Sequence, residues 1–289
     1  MPVKNAFTVD LEDWFHISGV ETLRDVDKWD RMEPRIQRNT ARLLQLLEEN
    51  NVKATFFVLG WAADRYPKLV KKIYRNGHEI GNHGYSHELV YNMTHREFQD
   101  DLLRSERAIK KAIGEKVTAY RAPTFSINSG CMWAFEVLAK NGYTIDSSIF
   151  MGKRDCGGTE HPKLSKKHLF SLRTGYGEVV EFPLRKERFM GVELPVTGGG
   201  YLRTLPLWVI DRTMKKANEK GMPFYLYIHP SDVDEERPVP KDIRLNKRIR
   251  ARIGLKHTER KLRHLIKKYE FAPIGDVIEG TAIMDYETI

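Results

Sequence analysis

The sequence predicts an α/β fold, a distorted and incomplete (β/α) barrel with a β-rich insertion in its second half. Amphipathic segments alternate with short apolar runs, and a glycine separates the two at Gly77, Gly114, Gly142 and Gly221. Helices that alternate with buried strands are typical of parallel β/α units. No linker or low-complexity tract divides the 289 residues, a length that suits one barrel. We therefore expect a single domain over residues 1–289, with the insertion at about 152–200.

The predicted strands are short runs rich in aromatic and β-branched residues, as in strands buried on both faces. AFTV lies near the N-terminus and ATFFVLG follows Asn50 and Asn51. The runs HEIGNH, KVTAYRAP, YTIDSSIF and MPFYLYIHP each follow one of the four glycines. Glycine adopts the left-handed conformation that ends many helices, so each of these glycines marks a boundary between a helix and a strand.

The predicted helices fill the segments between these strands. Residues 39–49 carry leucines at helical spacing, and Thr94 with Glu97 forms a capping box that opens a helix running to Ile113. Two further helices are predicted at 205–220 and about 245–269. Between residues 152 and 200, the runs HLFSLR, VVEFPL and FMGVELP and a loop of three glycines interrupt the alternation, which predicts the insertion.

Composition places the chain among ordinary soluble proteins. Hydrophobic residues make up 41% and charged residues 30% of it, and no stretch has the apolar length of a membrane span. MPVKNAFTVD leads into a predicted strand without an apolar secretion region. Cys131 and Cys156 are too few for a disulfide framework, so we expect reduced thiols. These features predict a cytoplasmic protein.

The net charge of +9 is concentrated near the C-terminus. Residues 244–268 contain eleven Lys or Arg and a single acid, Glu259. Such a run forms either a solvated helix face or a surface that attracts an anion, such as a membrane surface, a lipid pyrophosphate or an acidic glycan. The basic residues are not interleaved with aromatic ones, so no nucleic acid partner is expected. A peripheral position at the inner membrane face fits this segment.

Titratable residues gather where the predicted strands end. In chain order they are Asp10, Glu12, Asp13, His83, His87, Arg121, Asp146 and His229. In β/α barrels the carboxyl ends of the strands form the rim on which active sites are built. The pattern therefore predicts an active site on that rim.

Two of these residues, His83 and His87, suggest a metal ion. Their spacing of four lets two imidazoles converge on one cation, and a carboxylate with open water positions would complete a catalytic site. Asp10 and Glu12 share a face if the strand stays extended, whereas a strand ending at Leu11 would deliver Asp13. One of these acids would bind the metal and another would act as a base.

Arg121, His229 and Asp146 complete the predicted site. A guanidinium buried at a strand end needs a carboxylate partner, and that pairing is either structural or orients the catalytic base. His229 is either a satisfied core histidine or a general acid. A nearby carboxylate such as Asp146 would raise the pKa of His229 and favour its protonated form.

The motifs TVDLEDWF, HEIGNHGYSH, YRAPTF, IDSSIF and YLYIHP, in this order, resemble those of the polysaccharide deacetylases of carbohydrate esterase family four. The resemblance covers about residues 5 to 280 and is closest to the subgroup near peptidoglycan deacetylases, allantoinase-like enzymes and exopolysaccharide-locus deacetylases. It implies a zinc-like divalent ion that activates water, held by His83 and His87. It also implies Asp10 as general base held by Arg121, and His229 as general acid with Asp146 behind it.

The sequence departs from the family pattern in two places. The third metal ligand is Glu12 or Asp13, with a slight preference for Asp13. Phe150 stands where many relatives carry a tryptophan that lines the acetyl pocket. Pro123 and a backbone N–H near Thr124 would face the substrate oxyanion, as the resemblance implies.

The resemblance implies a metal-dependent hydrolase that removes acetyl groups from N-acetylated sugars of a polysaccharide, a glycan precursor or a lipid-linked saccharide. The acetylated saccharide is then the expected partner and zinc the expected cofactor. One alternative is a metal-independent amide or cyclic-imide hydrolase on the same barrel. The other is a non-catalytic protein that binds anionic surfaces through residues 244–268.

Overall fold

The computed structural model describes residues 2–152, 157–159, 168–184, 186–189, 191–240, 243, 245–281, 283 and 286–288. Contacts divide the chain into two compact units. The first unit comprises Met1–Thr55 with Glu187–Val277, and the second comprises Phe56–Lys186 with Ile278–Ile289. The expectation of one catalytic domain over residues 1–289 stays a prediction.

The helices and strands alternate along most of the chain. The α-helices are α1 (Glu21–Arg24), α2 (Val26–Trp29), α3 (Ile36–Glu49), α4 (Gly60–Arg65), α5 (Pro67–Arg75), α6 (His95–Ile113), α7 (Ala134–Lys140), α8 (Gly199–Thr204), α9 (Leu207–Asn218), α10 (Leu245–Arg252), α11 (Leu255–Lys268) and α12 (Ile274–Glu279). The strands are β1 (Asn5–Leu11), β2 (Thr55–Val58), β3 (Glu79–Asn82), β4 (Ala119–Tyr120), β5 (Ile145–Asp146), β6 (Phe170–Thr174), β7 (Gly177–Glu181), β8 (Glu187–Phe189), β9 (Val192–Leu194), β10 (Tyr225–Ile228), β11 (Phe271–Ala272) and β12 (Tyr286–Thr288). Short 3-10 turns lie at Val90–Asn92, Pro123–Phe125 and Pro230–Val233.

The first unit is organised around β1, whose seven residues are all buried. β10 runs parallel to it with Val9 opposite Ile228, and β11 pairs with its beginning. Because paired parallel strands end at the same edge of a sheet, the residues that follow β1 and β10 are brought together. β8 and β9 form a separate antiparallel hairpin.

The second unit contains the parallel strands β3, β4, β5 and β7, paired in that order. β6 pairs antiparallel with β7, and β12 pairs parallel with β6. The predicted insertion therefore contributes β6 and β7 to this sheet, next to β5. Parts of the insertion, including Cys156, lie outside the described residues, as does Arg244 of the basic segment.

The predicted strand and helix boundaries are largely confirmed. Gly77, Gly114, Gly142 and Gly221 all have positive φ, between 71° and 91°. Both bonds of the capping box between Thr94 and Glu97 are present at the start of α6.

One predicted helix is wrong. The segment predicted as a single helix at about 245–269 is broken into α10 and α11 at Gly254, where φ is 76°. A Cβ at this position would collide with the carbonyl oxygen of Arg203, so the close approach of the two backbones accounts for the break.

Among the described residues, no helix has both the length and the apolar character needed to cross a bilayer. The cytoplasmic address stays a prediction.

Candidate active site

In the first unit, two acids and a histidine converge after β1 and β10. The side chains of Asp10, Glu12 and His229 can each place one ligand atom within 4.8 Å of the others. Nε2 of His229 lies 3.8 Å from Oδ2 of Asp10. Asp10 and Glu12 are only 3% and 6% exposed, and burying two carboxylates is costly unless they are paired or bind a cation. The acidic cluster predicted from the sequence therefore lies next to the imidazole of His229.

His229 is held by Asp232, three residues further along the chain. The backbone N–H of His229 donates to Oδ2 of Asp232 at 2.9 Å, and Nδ1 of the ring lies 3.3 Å from the same oxygen. Asp232 also pairs with Arg203 at 3.0 Å and Arg237 at 3.9 Å. The sequence prediction gave the role of carboxylate partner to Asp146, whereas the carboxylate bonded to this ring belongs to Asp232.

The surroundings of His229 favour its protonated form. Burial acts to lower its pKa, but the hydrogen bond to Asp232 and the negative charges of Glu12, Asp232 and Asp10 outweigh burial and raise the pKa to about 9. Burial acts to raise the pKa of Asp232, but the hydrogen bond to His229 and the positive charges of Arg203 and Arg237 hold it well below its usual range. His229 can therefore carry a proton at neutral pH, as a general acid requires.

Asp13 is engaged as a structural cap. Its Oδ2 accepts the backbone N–H groups of Arg35 at 2.7 Å and Ile36 at 2.9 Å, at the start of α3. Its Oδ1 accepts the N–H of Trp14 at 2.8 Å. Burial raises the pKa of Asp13 although these three hydrogen bonds act to lower it. Both carboxylate oxygens are thus used to satisfy orphan backbone donors at a helix start. This arrangement favours Glu12 over Asp13 as a metal ligand.

In the second unit, His83 and His87 face one another after β3. Their ring centroids are 5.7 Å apart, and a nitrogen of one can lie within 4.8 Å of a nitrogen of the other. Nδ1 of His83 lies 2.7 Å from the carbonyl oxygen of Arg121. A carbonyl oxygen only accepts, so Nδ1 carries a hydrogen, and in the neutral ring the lone pair is then on Nε2. Such carbonyl-oriented imidazoles are typical metal ligands, and the donor set fits a divalent ion.

The loop between the two histidines is fixed by Asp101 of α6. Oδ2 of Asp101 accepts the backbone N–H of Tyr85 at 2.7 Å, and Oδ1 accepts from both the N–H and the hydroxyl of Ser86. Gly84 has φ of 71°, and a Cβ on it would lie 2.9 Å from Oδ2 of Asp101. His87 itself has φ of 54°, which is uncommon for a residue with a side chain. The loop is therefore held in a specific shape.

Arg121 is fully buried after β4. Its guanidinium lies 3.9 Å from the centroid of the Phe57 ring and 3.5 Å from the hydroxyl of Ser147. Its carbonyl orients His83, as described above. The backbone of the YRAPTF segment is therefore hydrogen-bonded to His83, at the start of the loop that joins the two histidines.

Asp146 holds the same segment from the neighbouring strand. Its Oδ2 accepts the hydroxyl of Ser148 at 2.7 Å, and the Ser148 oxygen in turn accepts the N–H of Ala122 at 2.8 Å. Asp146 is opposite Glu181 in the β5–β7 register, and both carboxyls are completely buried. Burial, then the charge of Asp146, raises the pKa of Glu181 well above its usual range. Two adjacent buried carboxylates cannot both ionise cheaply, so the pair retains a proton.

The segment Pro123–Phe125 has a strained backbone. Thr124 and Phe125 have φ of 57° and 56°, in the left-handed region. Gly157 packs against this turn, since a Cβ on it would lie 2.5 Å from the carbonyl oxygen of Thr124. Non-glycine residues in this conformation cost about 1–3 kcal/mol each and often mark functional sites. Phe150 is 1% exposed, and its carbonyl oxygen accepts the N–H of Thr159.

The predicted residues thus fall into one group in each unit. Asp10, Glu12, Asp13 and His229 belong to the first, and His83, His87, Arg121, Pro123, Thr124, Asp146 and Phe150 belong to the second. Sequence reasoning missed Asp232, Asp101 and Glu181. Asp232 carries a recognisable sequence signal, because an acid three residues after His229, in a turn that begins with proline, is placed to cap that turn. Asp101 and Glu181 are ordinary helix and strand residues in the sequence and give no such signal.

Comparison with known proteins identifies two consecutive regions of the chain. A family model described as polysaccharide deacetylase matches residues 27–145, and one described as a domain of unknown function (DUF3473) matches residues 147–279. A peptidoglycan-N-acetylglucosamine deacetylase of Bacillus cereus is 36% identical over 98 residues, which cover 34% of this chain and 36% of that protein. A peptidoglycan deacetylase of Helicobacter pylori is 36% identical over 108 residues, which cover 37% of this chain and 36% of that protein. The chain thus spans only about a third of the length of these curated relatives.

Among solved structures, a Mycobacterium smegmatis protein assigned to the polysaccharide deacetylases has a TM-score of 0.62 and 22% identity, covering 96% of this chain and 92% of that one. This likeness confirms the fold class predicted from the sequence, a mixed α/β fold of the incomplete-barrel type. The predicted resemblance to polysaccharide deacetylases is confirmed for residues 27–145, which contain HEIGNHGYSH and YRAPTF, by the family model and the relatives. Residues 27–145 therefore match the polysaccharide deacetylase family, and DUF3473 follows at residues 147–279.

Proposed function

We propose that this protein is a metal-dependent hydrolase that removes acetyl groups from N-acetylated sugars of a polysaccharide, a glycan precursor or a lipid-linked saccharide. The observation that carries the proposal is the imidazole pair of His83 and His87, which lies within the residues that match the polysaccharide deacetylase model. The curated relatives are named as deacetylases of peptidoglycan or of its N-acetylglucosamine, which supports an acetamide as the bond that is cleaved.

We assign the metal to His83, His87 and Glu12, with zinc as the expected ion. Two neutral nitrogens and one carboxylate leave coordination positions open, as in catalytic rather than structural sites. Glu12 is preferred to Asp13 because the carboxylate of Asp13 is already bonded to three backbone N–H groups. When bound, such an ion supplies Lewis acidity towards a carbonyl oxygen and lowers the pKa of water.

The proton transfers fall to Asp10 and His229. Asp10 accepts the proton of the attacking water, and Arg121 takes the family role of orienting this base. His229 donates its proton to the departing sugar amine, so that the C–N bond breaks and acetate is released. The raised pKa of His229, about 9, keeps that proton available at neutral pH. Each such transfer contributes about 10²–10⁴-fold to a rate.

The remaining residues shape the acetyl position. The strained turn Pro123–Phe125 presents the backbone N–H of Thr124, which we assign to the developing oxyanion. Phe150 takes the place of the tryptophan of many relatives as the apolar wall beside the acetyl methyl. Asp146 acts on this region through Ser148 and Ala122, which makes it a positioning residue.

The test is acetate release from a panel of substrates by the full chain, stripped of metal and then supplied with zinc. The panel contains chitooligosaccharides, peptidoglycan fragments and an O-acetylated xylan. We expect release from an N-acetylated member that depends on zinc and is lost in His83→Ala. Release that survives complete metal removal would favour the metal-independent hydrolase, and no release from any member would favour a non-catalytic binding protein.

A further inference from the structure

Exposed hydrophobic side chains of the first unit gather around α10. Ile249 is 52% exposed and Ile253, one helical turn later, is 44% exposed. The backbone N–H of Ile253 donates to the carbonyl oxygen of Ile249 at 3.1 Å, which continues the last turn one residue past α10. Residues four apart on such a turn share a face, so the two isoleucines present one apolar edge to solvent. Large aliphatic side chains exposed together, and not singly, are typical of an interaction surface.

Basic side chains flank this apolar edge. Arg248 and Arg252 lie one turn apart and are both exposed, and α11 continues with the exposed Lys256 and Arg260. Within the part of the chain that the structure describes, none of these four forms an ion pair. The acid of this region, Glu259, is already paired with Arg42 at 3.0 Å and Arg263 at 3.0 Å. The surface therefore keeps an excess of positive charge.

An exposed tryptophan lies near the start of α9, just after a segment that is bonded to α10 and α11. The guanidinium of Arg203 donates to the carbonyl of Ala251 at 3.0 Å, and the ammonium of Lys261 donates to the carbonyl of Leu205 at 2.7 Å. These bonds place the junction of α8 and α9 against the junction of α10 and α11. Trp208, in the first turn of α9, is 58% exposed. Tryptophan and arginine both combine an apolar body with a polar end, as side chains at a lipid–water boundary do.

We propose that the α10 surface, formed by Arg248, Ile249, Arg252 and Ile253, docks the protein on a bilayer that contains anionic lipids. Interfacial binding of this kind combines the insertion of apolar side chains with the attraction of cations to lipid phosphates. A nucleic acid would use the arginines but leave the two isoleucines without a role, which favours the lipid surface. The inference goes beyond the proposed deacetylase activity and does not depend on it.

The experiment is sedimentation of the full chain with vesicles of neutral phosphatidylcholine, or of phosphatidylcholine mixed with phosphatidylglycerol. We expect binding to the mixed vesicles, and loss of most of it between about 50 mM and 500 mM salt, because salt screens exposed charges. Ile249→Ser with Ile253→Ser, and separately Arg248→Glu with Arg252→Glu, are each expected to weaken binding about tenfold or more. Circular dichroism of each variant checks that it is folded.

The matched control is Lys71→Glu with Lys72→Glu, which makes the same change of net charge on exposed positions of α5. We expect this variant to bind vesicles as the parent does. Equal loss of binding in the control would mean that net charge alone is responsible and would overturn the proposal. Failure to bind anionic vesicles, unchanged binding after both isoleucines are replaced, or preference for a DNA or RNA oligonucleotide over the vesicles would overturn it as well.

Discussion

His229 and Asp232 are joined twice, through the backbone N–H of the histidine at 2.9 Å and through its Nδ1 at 3.3 Å, both to the same carboxylate oxygen. The short turn that begins at Pro230 makes this double contact, because it returns the carboxylate to the start of the turn. The ring is therefore fixed in orientation and held next to a negative charge.

Replacing Asp232 with Asn should move the alkaline limit of activity to lower pH. The charge of Asp232 is one of the causes that raise the pKa of His229 to about 9, and a general acid works only while it is protonated. Losing one adjacent charge shifts a pKa by about 1–3 units, so activity at pH 8 should fall while activity at pH 6 changes less. A pH–rate profile of kcat/KM measures the shift.

Asp234→Asn is the matched control for that experiment. Asp234 is equally buried but bonds Arg38 and Asn39, not His229. Its replacement should lower stability without moving the alkaline limit. An identical shift in both variants would show that the effect does not pass through the His229 ring.

Glu12→Gln and Asp13→Asn should separate metal binding from stability. Asp13 caps the start of α3, and losing such a cap costs about 0.5–2 kcal/mol of unfolding free energy. Glu12→Gln should instead weaken zinc binding with little change in the stability of the metal-free protein. Denaturant unfolding and zinc titration of both variants decide this, and zinc affinity that falls only in Asp13→Asn would reverse the assignment.

His83→Ala and Asp10→Asn should differ in metal content. Removing His83 takes away a ligand, so zinc binding and acetate release should both be lost. Asp10→Asn should keep bound zinc and lose turnover, because a neutral amide cannot accept the proton. Metal analysis beside the acetate assay tests the pair, and an active, zinc-loaded Asp10→Asn protein would remove Asp10 from the role of base.

Asp101→Asn should weaken zinc binding although Asp101 is not itself a proposed ligand. The carboxylate holds the backbone of Tyr85 and Ser86 between the two histidines. Losing a supporting group of this kind typically costs about 10–100-fold in metal affinity. Asp100→Asn is the control, since Asp100 precedes it on α6 and its side chain is 73% exposed. Equal zinc affinities in the two variants would contradict the supporting role.

Glu181→Gln should flatten the dependence of stability on pH. In the folded protein burial raises the pKa of Glu181 well above 4.5, whereas the unfolded chain releases that proton near 4.5. Above pH 4.5 the folded state therefore holds more protons than the unfolded chain does. The free energy of unfolding consequently falls as the pH rises through this range. Denaturant melts between pH 4.5 and 6.5 measure the slope. Glu178→Gln, an exposed position on the same strand, should leave the slope unchanged.

Local chemistry made much of the fold predictable from the sequence. Gly77 and Gly114 adopt the left-handed conformation that marked helix ends, and Thr94 and Glu97 form the capping box. These features depend on neighbours in the chain, so the sequence carries them directly. The break at Gly254 was missed because it depends on Arg203, fifty-one positions earlier, whose carbonyl leaves no room for a side chain.

The candidate site was predictable to the extent that its residues lie at strand ends. His83, Arg121 and His229 follow β3, β4 and β10, as the apolar runs indicated. Glu181 was not predictable, because its raised pKa depends on its position opposite Asp146 in the sheet. The register between strands that are distant in the chain cannot be predicted from a local sequence pattern. The choice between Glu12 and Asp13 likewise depended on the backbone donors of α3.

The carbonyl of Ala251, at the end of α10, is bonded by both Arg203 and Arg237, and the same two guanidinium groups contact Asp232. A displacement of α10 would therefore move the carboxylate of Asp232, which orients His229. The helix is linked to that ring through the two arginines and then through Asp232. Substitutions that move the end of α10 should accordingly alter proton transfer by His229, even though none of them lies beside its ring.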